Sequence, residues 1–77
     1  MRFNVKWIGR NGEPGMGVLT SSAFDLPPTA DKEIPVVMDR HGRMLTARDL
    51  EGVPLRRVGH VPDELALRAC EVGFTFV

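Results

Sequence analysis

The sequence predicts a mainly β (β-rich α+β) fold: a small antiparallel sheet or barrel of about five to six strands built from hairpins, with one short C-terminal helix at most. Three observations carry this. Polar and apolar residues alternate with period two at Arg2–Trp7 and again at Phe74–Val77. Clusters of glycine with asparagine or aspartate fall where hairpins need turns, at 9–15 and 39–43. Helical spacing of apolar residues appears only after Pro62. At 77 residues the chain has room for a single core, so residues 1–77 are read as one domain with a Pro-rich loop over 22–35 inside it.

The first strand is the clearest element. Phe3, Val5 and Trp7 share one face and Arg2, Asn4 and Lys6 the other, as in a half-buried strand. It runs into Gly9-Arg10-Asn11-Gly12-Glu13-Pro14-Gly15, where Asn-Gly accepts positive φ cheaply and Pro14 has no donor for a ladder. Met16, Val18 and Thr20 then alternate with Gly17, Leu19 and Ser21 as the return strand. The glycines there point to a bulge or a close backbone approach. Such a ribbon is barely stable alone and has to pack on the rest of the chain or on another molecule.

Between Phe24 and Pro35, three prolines enforce extended or turn geometry and forbid a central strand. Ile34–Met38 and Met44–Thr46 read as a second hairpin, with Gly42 as the αL residue of a type I turn with a G1 bulge. Thr46 to Gly52 fits one helical turn, capped by Thr46 and stopped by Gly52. Val53–Val61 reads as a strand bulged at Gly59 between Pro54 and Pro62. Over 62–72 the spacing of Leu65, Ala69 and Val72 favours a helix stopped by Gly73, although Leu65, Leu67 and Ala69 also alternate as a strand would. Phe74–Val77 reads as a last strand whose two phenylalanines join Trp7 in the core.

Composition narrows the function. A hydrophobic fraction of 43% and a charged fraction of 26% are ordinary globular usage, which excludes disordered and coiled-coil classes. No apolar run approaches the length of a membrane span, and Met1–Lys6 lacks the apolar core of a signal peptide, so the expectation is a chain made and kept in the cytoplasm, with no membrane partner. Cys70 is the single cysteine, which rules out an internal disulfide and reads as core filler.

The formal net charge is zero, yet its distribution is blocky. Arg2, Lys6 and Arg10 make the start basic; Glu13, Asp25, Asp31, Glu33 and Asp39 against Lys32 make the next block acidic; and Arg40, Arg43, Arg48, Arg56 and Arg57 outnumber Asp49 and Glu51 after that. A balanced net charge disfavours nucleic acid, whose nonspecific binding needs many unopposed phosphate contacts, and the few aromatic side chains are claimed by the core. Arginine outnumbers lysine eight to two, and arginine suits desolvated, bidentate contacts at protein interfaces. Arg40, Arg43, Arg56 and Arg57 are therefore the candidate partner-binding residues, converging if the 39–43 turn neighbours the following strand. A solvated basic face is the competing reading.

No catalytic, cofactor-binding or metal-binding residues are assigned. His41 beside Gly42 reads as a solvated turn residue, and His60 as a strand residue with one hydrogen-bond partner. Neither belongs to a nucleophile-elbow, phosphate-loop or zincin pattern. His41, His60 and Cys70 lack the paired local ligands of a stable zinc site. Residues 12–17, Gly-Glu-Pro-Gly-Met-Gly, are followed by a predicted strand where a phosphate cradle needs a helix, so they read as a turn.

In style the chain resembles the small accessory and virion proteins of tailed phages: a short, Arg-rich sequence opening Met1-Arg2-Phe3-Asn4-Val5-Lys6-Trp7, a Gly-rich hairpin, and a β-strand at its last residues. His41 and Val58-Gly59-His60-Val61 also faintly resemble the histidine and following strand of phage head-maturation proteases, but no serine follows Ser22 to serve as their nucleophile. The resemblance implies a non-catalytic structural or assembly protein, a capsid or tail accessory or decoration component, that packs on a protein partner or on copies of itself. A small inhibitor that blocks a host or defence protein is the alternative. Location in the host cytoplasm or in the virion follows from either.

Overall fold

Alternation places Phe3 and Val5 in the core and Arg2, Asn4 and Lys6 outside, along a strand β1 that spans Arg2–Ile8. The computed structural model describes residues 2–20 and 35–77; the Pro-rich loop expected over 22–35 lies outside the described residues but for Pro35. The further elements are β2 (Pro14–Thr20), β3 (Val36–Asp39), β4 (Met44–Leu45), β5 (Leu55–Arg57) and α1 (Asp63–Glu71). The strands form one antiparallel sheet in the order β4-β3-β2-β1-β5, open rather than closed into a barrel.

The β1–β2 and β3–β4 connections are the same device. In the β1–β2 turn, Gly12 N–H donates to the Gly9 carbonyl at 2.9 Å and Gly9 N–H to the Glu13 carbonyl at 2.7 Å. In the β3–β4 turn, Gly42 N–H donates to the Asp39 carbonyl at 3.0 Å and Asp39 N–H to the Arg43 carbonyl at 2.9 Å. Each is a type I turn closed by a glycine at φ near +80°, Gly12 at 83° and Gly42 at 81°, the left-handed position of a G1 bulge. The glycines of β2 mark close approaches. Gly17 is buried beneath β3, and Gly15 lies under the Trp7 ring.

Register decides which residues share a face. Phe3, Leu19, Val37 and Leu45 form one cross-strand row, and Val5 and Leu55 stand on the same side. Leu19, Leu55, Val5 and Val37 are fully buried and are the largest such side chains among the described residues. Leu50, Val53, Ala69 and Phe74 close over this face from the loop and the helix side, and Phe3 meets Phe76 ring to ring at a 6.0 Å centroid separation.

The segment between β4 and β5 folds as the expected single turn. Thr46 and Asp49 cap reciprocally: Thr46 N–H donates to Asp49 Oδ2 at 2.8 Å, and Asp49 N–H to Thr46 Oγ1 at 3.3 Å. The turn carries Leu50 into the core. Residues 63–71 are helical, which resolves the ambiguity of that stretch. Asp63 and Glu64 sit at the positive end of the helix dipole. The helix stops in a Schellman motif, with Phe74 N–H donating to the Ala69 carbonyl at 3.1 Å, Gly73 N–H to the Cys70 carbonyl at 3.1 Å, and Gly73 at φ 109°.

Four expectations need correction. The strand expected over 53–61 is limited to Leu55–Arg57, because after Val58 donates to the Asn4 carbonyl at 3.0 Å, Gly59 turns the chain away at φ 78°. His60 is therefore an exposed bend residue and not a strand residue. The last strand reduces to a single parallel bridge of Phe76 to Leu55, in which Leu55 N–H donates to the Thr75 carbonyl at 2.7 Å and Val77 N–H to the Leu55 carbonyl at 3.0 Å. Cys70 is exposed rather than core filler, and Val72 is exposed too: the helix buries Ala66 and Ala69, which turns Cys70 outward, and Val72 lies past its last turn.

Candidate functional site

Because α1, the 46–53 turn and the C-terminal segment all pack on one face, the other face of the sheet is left uncovered by any described residue. Its positions follow from register: Arg2, Asn4, Lys6 and Ile8 on β1, Met16, Val18 and Thr20 on β2, Val36 and Met38 on β3, Met44 on β4 and Arg56 on β5. Val18, Met38 and Met44 are successive cross-strand partners and form an apolar row. Met16, Met38 and Met44 are 49%, 38% and 65% exposed, and Ile8 63%, which makes this a patch and not a scatter of single residues. Methionine is flexible and polarisable, the side chain most able to repack against a partner.

Among the described residues the face carries cations and no carboxylate. Arg2, Lys6 and Arg56 project there, and Lys6 stands directly opposite Arg56 in the β1–β5 pair. Like charges at directly paired positions oppose folding. Among the described residues neither of these two side chains has a hydrogen bond or ion pair.

At the end of the sheet where β1 runs out and β2 and β5 begin, the face deepens into a groove of about 600 Å³. Trp7, Ile8, Met16 and Val77 supply its apolar surface, and Lys6, Arg40 and Arg56 its charge. Arg40 reaches it from the β3–β4 turn: its backbone N–H donates to the Met16 carbonyl at 3.2 Å, while its guanidinium has only a long 3.5 Å contact to the Pro14 carbonyl.

The four arginines expected to converge therefore separate into two pairs. Arg40 and Arg56 line the groove. Arg43 and Arg57 are each paired with a carboxylate of the chain, although both remain exposed. Arg43 Nε donates to Asp39 Oδ2 at 2.9 Å, while Asp39 Oδ1 accepts the N–H groups of His41 and Arg43 at 2.9 Å each. These contacts, the Arg43 backbone N–H foremost, hold the Asp39 carboxyl below its ordinary range even though burial opposes this. Arg57 shares the inner side with Val5 and donates to Asp63 Oδ1 at 2.6 Å and to the Val61 carbonyl at 3.0 Å, tying β5 to the start of α1. Lys6 is not among the partner-binding residues expected from the sequence. Its signal was the alternation of the first strand, which puts it on the face away from Trp7.

Elsewhere, His41 is an exposed turn residue, and among the described residues no group of three or more His, Cys, Asp or Glu side chains is gathered to hold a metal ion. No helix of the described residues is long and apolar enough to cross a membrane. Comparison with family models, with curated proteins and with solved structures finds no match to this chain.

Proposed function

We propose that this chain is a non-catalytic packing module that seats on a larger protein assembly through the uncovered face of its sheet, as a capsid or tail accessory component of the kind it resembles. The observation that carries the reading is the Val18–Met38–Met44 row lying uncovered beside Lys6 and Arg56. A domain this small buries only about 60% of its unfolded surface, so an apolar row that no described residue covers is a sizeable part of what it has to bury. A partner that covers it completes a second layer.

Co-sedimentation tests the reading. The protein is followed by quantitative mass spectrometry through fractionated particles and complexes of the cells that make it, beside a Met38→Lys/Met44→Lys variant shown by circular dichroism to stay folded. Residence in particles at a fixed copy number, lost in the variant, is the expected result. Recovery as free protein, or co-sedimentation that ignores the two lysines, would refute it. Tight one-to-one capture of a single soluble host protein, with nothing in particles, would replace it by the inhibitor reading.

A further inference from the structure

We infer that the groove at the end of the sheet takes a short acidic segment of the partner protein, a bulky apolar side chain entering between Ile8, Met16 and Val77 while flanking carboxylates meet Lys6, Arg40 and Arg56. This rests on the packing reading above and adds the chemistry of the segment.

Charge decides the sign of the occupant. Among the described residues the groove's charged side chains are all basic, Lys6, Arg40 and Arg56, and no acidic side chain lines it. Lys6 and Arg56 are held opposite one another with no counter-ion among the described residues, an arrangement that opposes folding and gains from an anion placed between them. The apolar surface decides the rest. At about 600 Å³ the groove holds one large side chain with its neighbouring backbone, and a plain inorganic anion would leave Trp7, Ile8 and Met16 wet.

Two other occupants fit less well. A second copy presenting the same face would set Arg2, Lys6 and Arg56 against their equivalents, because no carboxylate of the described residues stands on that face. A nucleic acid strand needs a track of cations and open stacking platforms, whereas here the cations are three and the Trp7 ring is seated on Gly15.

Trp7 is the single tryptophan and lines the groove, so its fluorescence reports occupancy directly. The probe is a blocked pentapeptide with a central phenylalanine flanked by glutamates. Its comparators carry lysine flanks or a central glycine. The glutamate–phenylalanine peptide is expected to give a saturable change in Trp7 emission that weakens as salt is raised, with both comparators at least about tenfold weaker. Lys6→Gln/Arg56→Gln, which removes the facing charges without burying anything, is expected to lose about tenfold in affinity with no fall in melting temperature. Equal binding by the lysine peptide, undiminished binding by the variant, or no binding at all overturns the inference. So does stronger competition by oligothymidylate or by phosphatidylglycerol vesicles. If the peptide arm fails while Met38→Lys/Met44→Lys still abolishes co-sedimentation, the acidic segment is wrong and the packing reading stands; if both fail, the packing reading falls with it.

Discussion

Gly17→Ala adds one methyl group at the most crowded point of the sheet. Gly17 is buried between Val5 of β1 and Asp39 of β3, and a Cβ built there would lie 2.5 Å from the Met38 carbonyl oxygen and 2.9 Å from Val37 Cγ1. The nearer obstacle is backbone, so no rotamer change relieves it and β3 has to move away from β2. Two terms favour alanine: a less free unfolded chain, worth about 0.4–1 kcal/mol, and a better strand former. Against them stands overpacking, about 1–3 kcal/mol in a well-filled interior. The net expectation is a loss of about 1–2 kcal/mol, and for a domain of this size each kcal/mol lowers the melting temperature by about 4–8 °C. Urea unfolding followed by Trp7 emission should show a lower midpoint at unchanged slope. An unchanged or raised midpoint would mean that β2 and β3 do not approach this closely, and the register from Gly17–Asp39 to Thr20–Val36 would have to be redrawn.

Leu55→Ala removes a fully buried side chain from the strand that ties β1 to the C-terminal segment, and should cost about 2–5 kcal/mol by urea unfolding, against less than about 0.5 for the exposed Leu67→Ala. Asp39 and Asp49 both have depressed carboxyl pKa values in the fold, the one mainly through the Arg43 backbone N–H and the other mainly through that of Thr46. The stability they contribute is therefore present above the unfolded carboxyl pKa of about 3.9 and lost as pH falls toward the folded values. Melting curves between neutral and strongly acid pH should show this loss, and Asp39→Asn should flatten it. Cys70 is exposed on the outward side of α1, so it should react with a thiol reagent in the native protein about as fast as in urea; strong native protection would reverse the helix orientation.

How much of this was legible in the sequence depended on whether the deciding signal was local. Asn11-Gly12 and His41-Gly42 announce their turns because only a left-handed residue closes that bulge, and the Thr46–Asp49 cap is likewise complete within four residues. Leu65, Leu67 and Ala69 fit strand and helix alike, and what selects helix is the Schellman stop, in which Gly73 and Phe74 bond back to the last turn. Cys70 was misjudged on residue type, since which face of α1 is buried depends on Ala66 and Ala69 packing under a sheet set by distant strands. The site was half legible for the same reason. That Arg40 and Arg56 reach one groove requires β1 and β2 to lie between their elements, a fact of strand order and not of spacing. Arg43 and Arg57 look identical to them in sequence and are separated by where Asp39 and Asp63 sit.

Strand order also changes the meaning of the zero net charge. Averaged over the chain, ten bases and ten acids cancel and suggest no preference among partners. Among the described residues they are segregated: the helix carries Asp63, Glu64 and Glu71 against Arg68 on one side of the sheet, while Arg2, Lys6 and Arg56 stand with no described carboxylate on the other. Asp63 is engaged with Arg57 and Glu64 with Arg68, so these two acids are already paired with cations. On the proposed reading the outer face would meet a partner as a cationic, methionine-rich surface, while whole-chain measures such as the isoelectric point report a neutral protein. A surface of this kind selects by charge and binds by apolar contact. Removing the charges should therefore slow association and admit wrong partners, whereas removing the methionines should shorten the life of the complex.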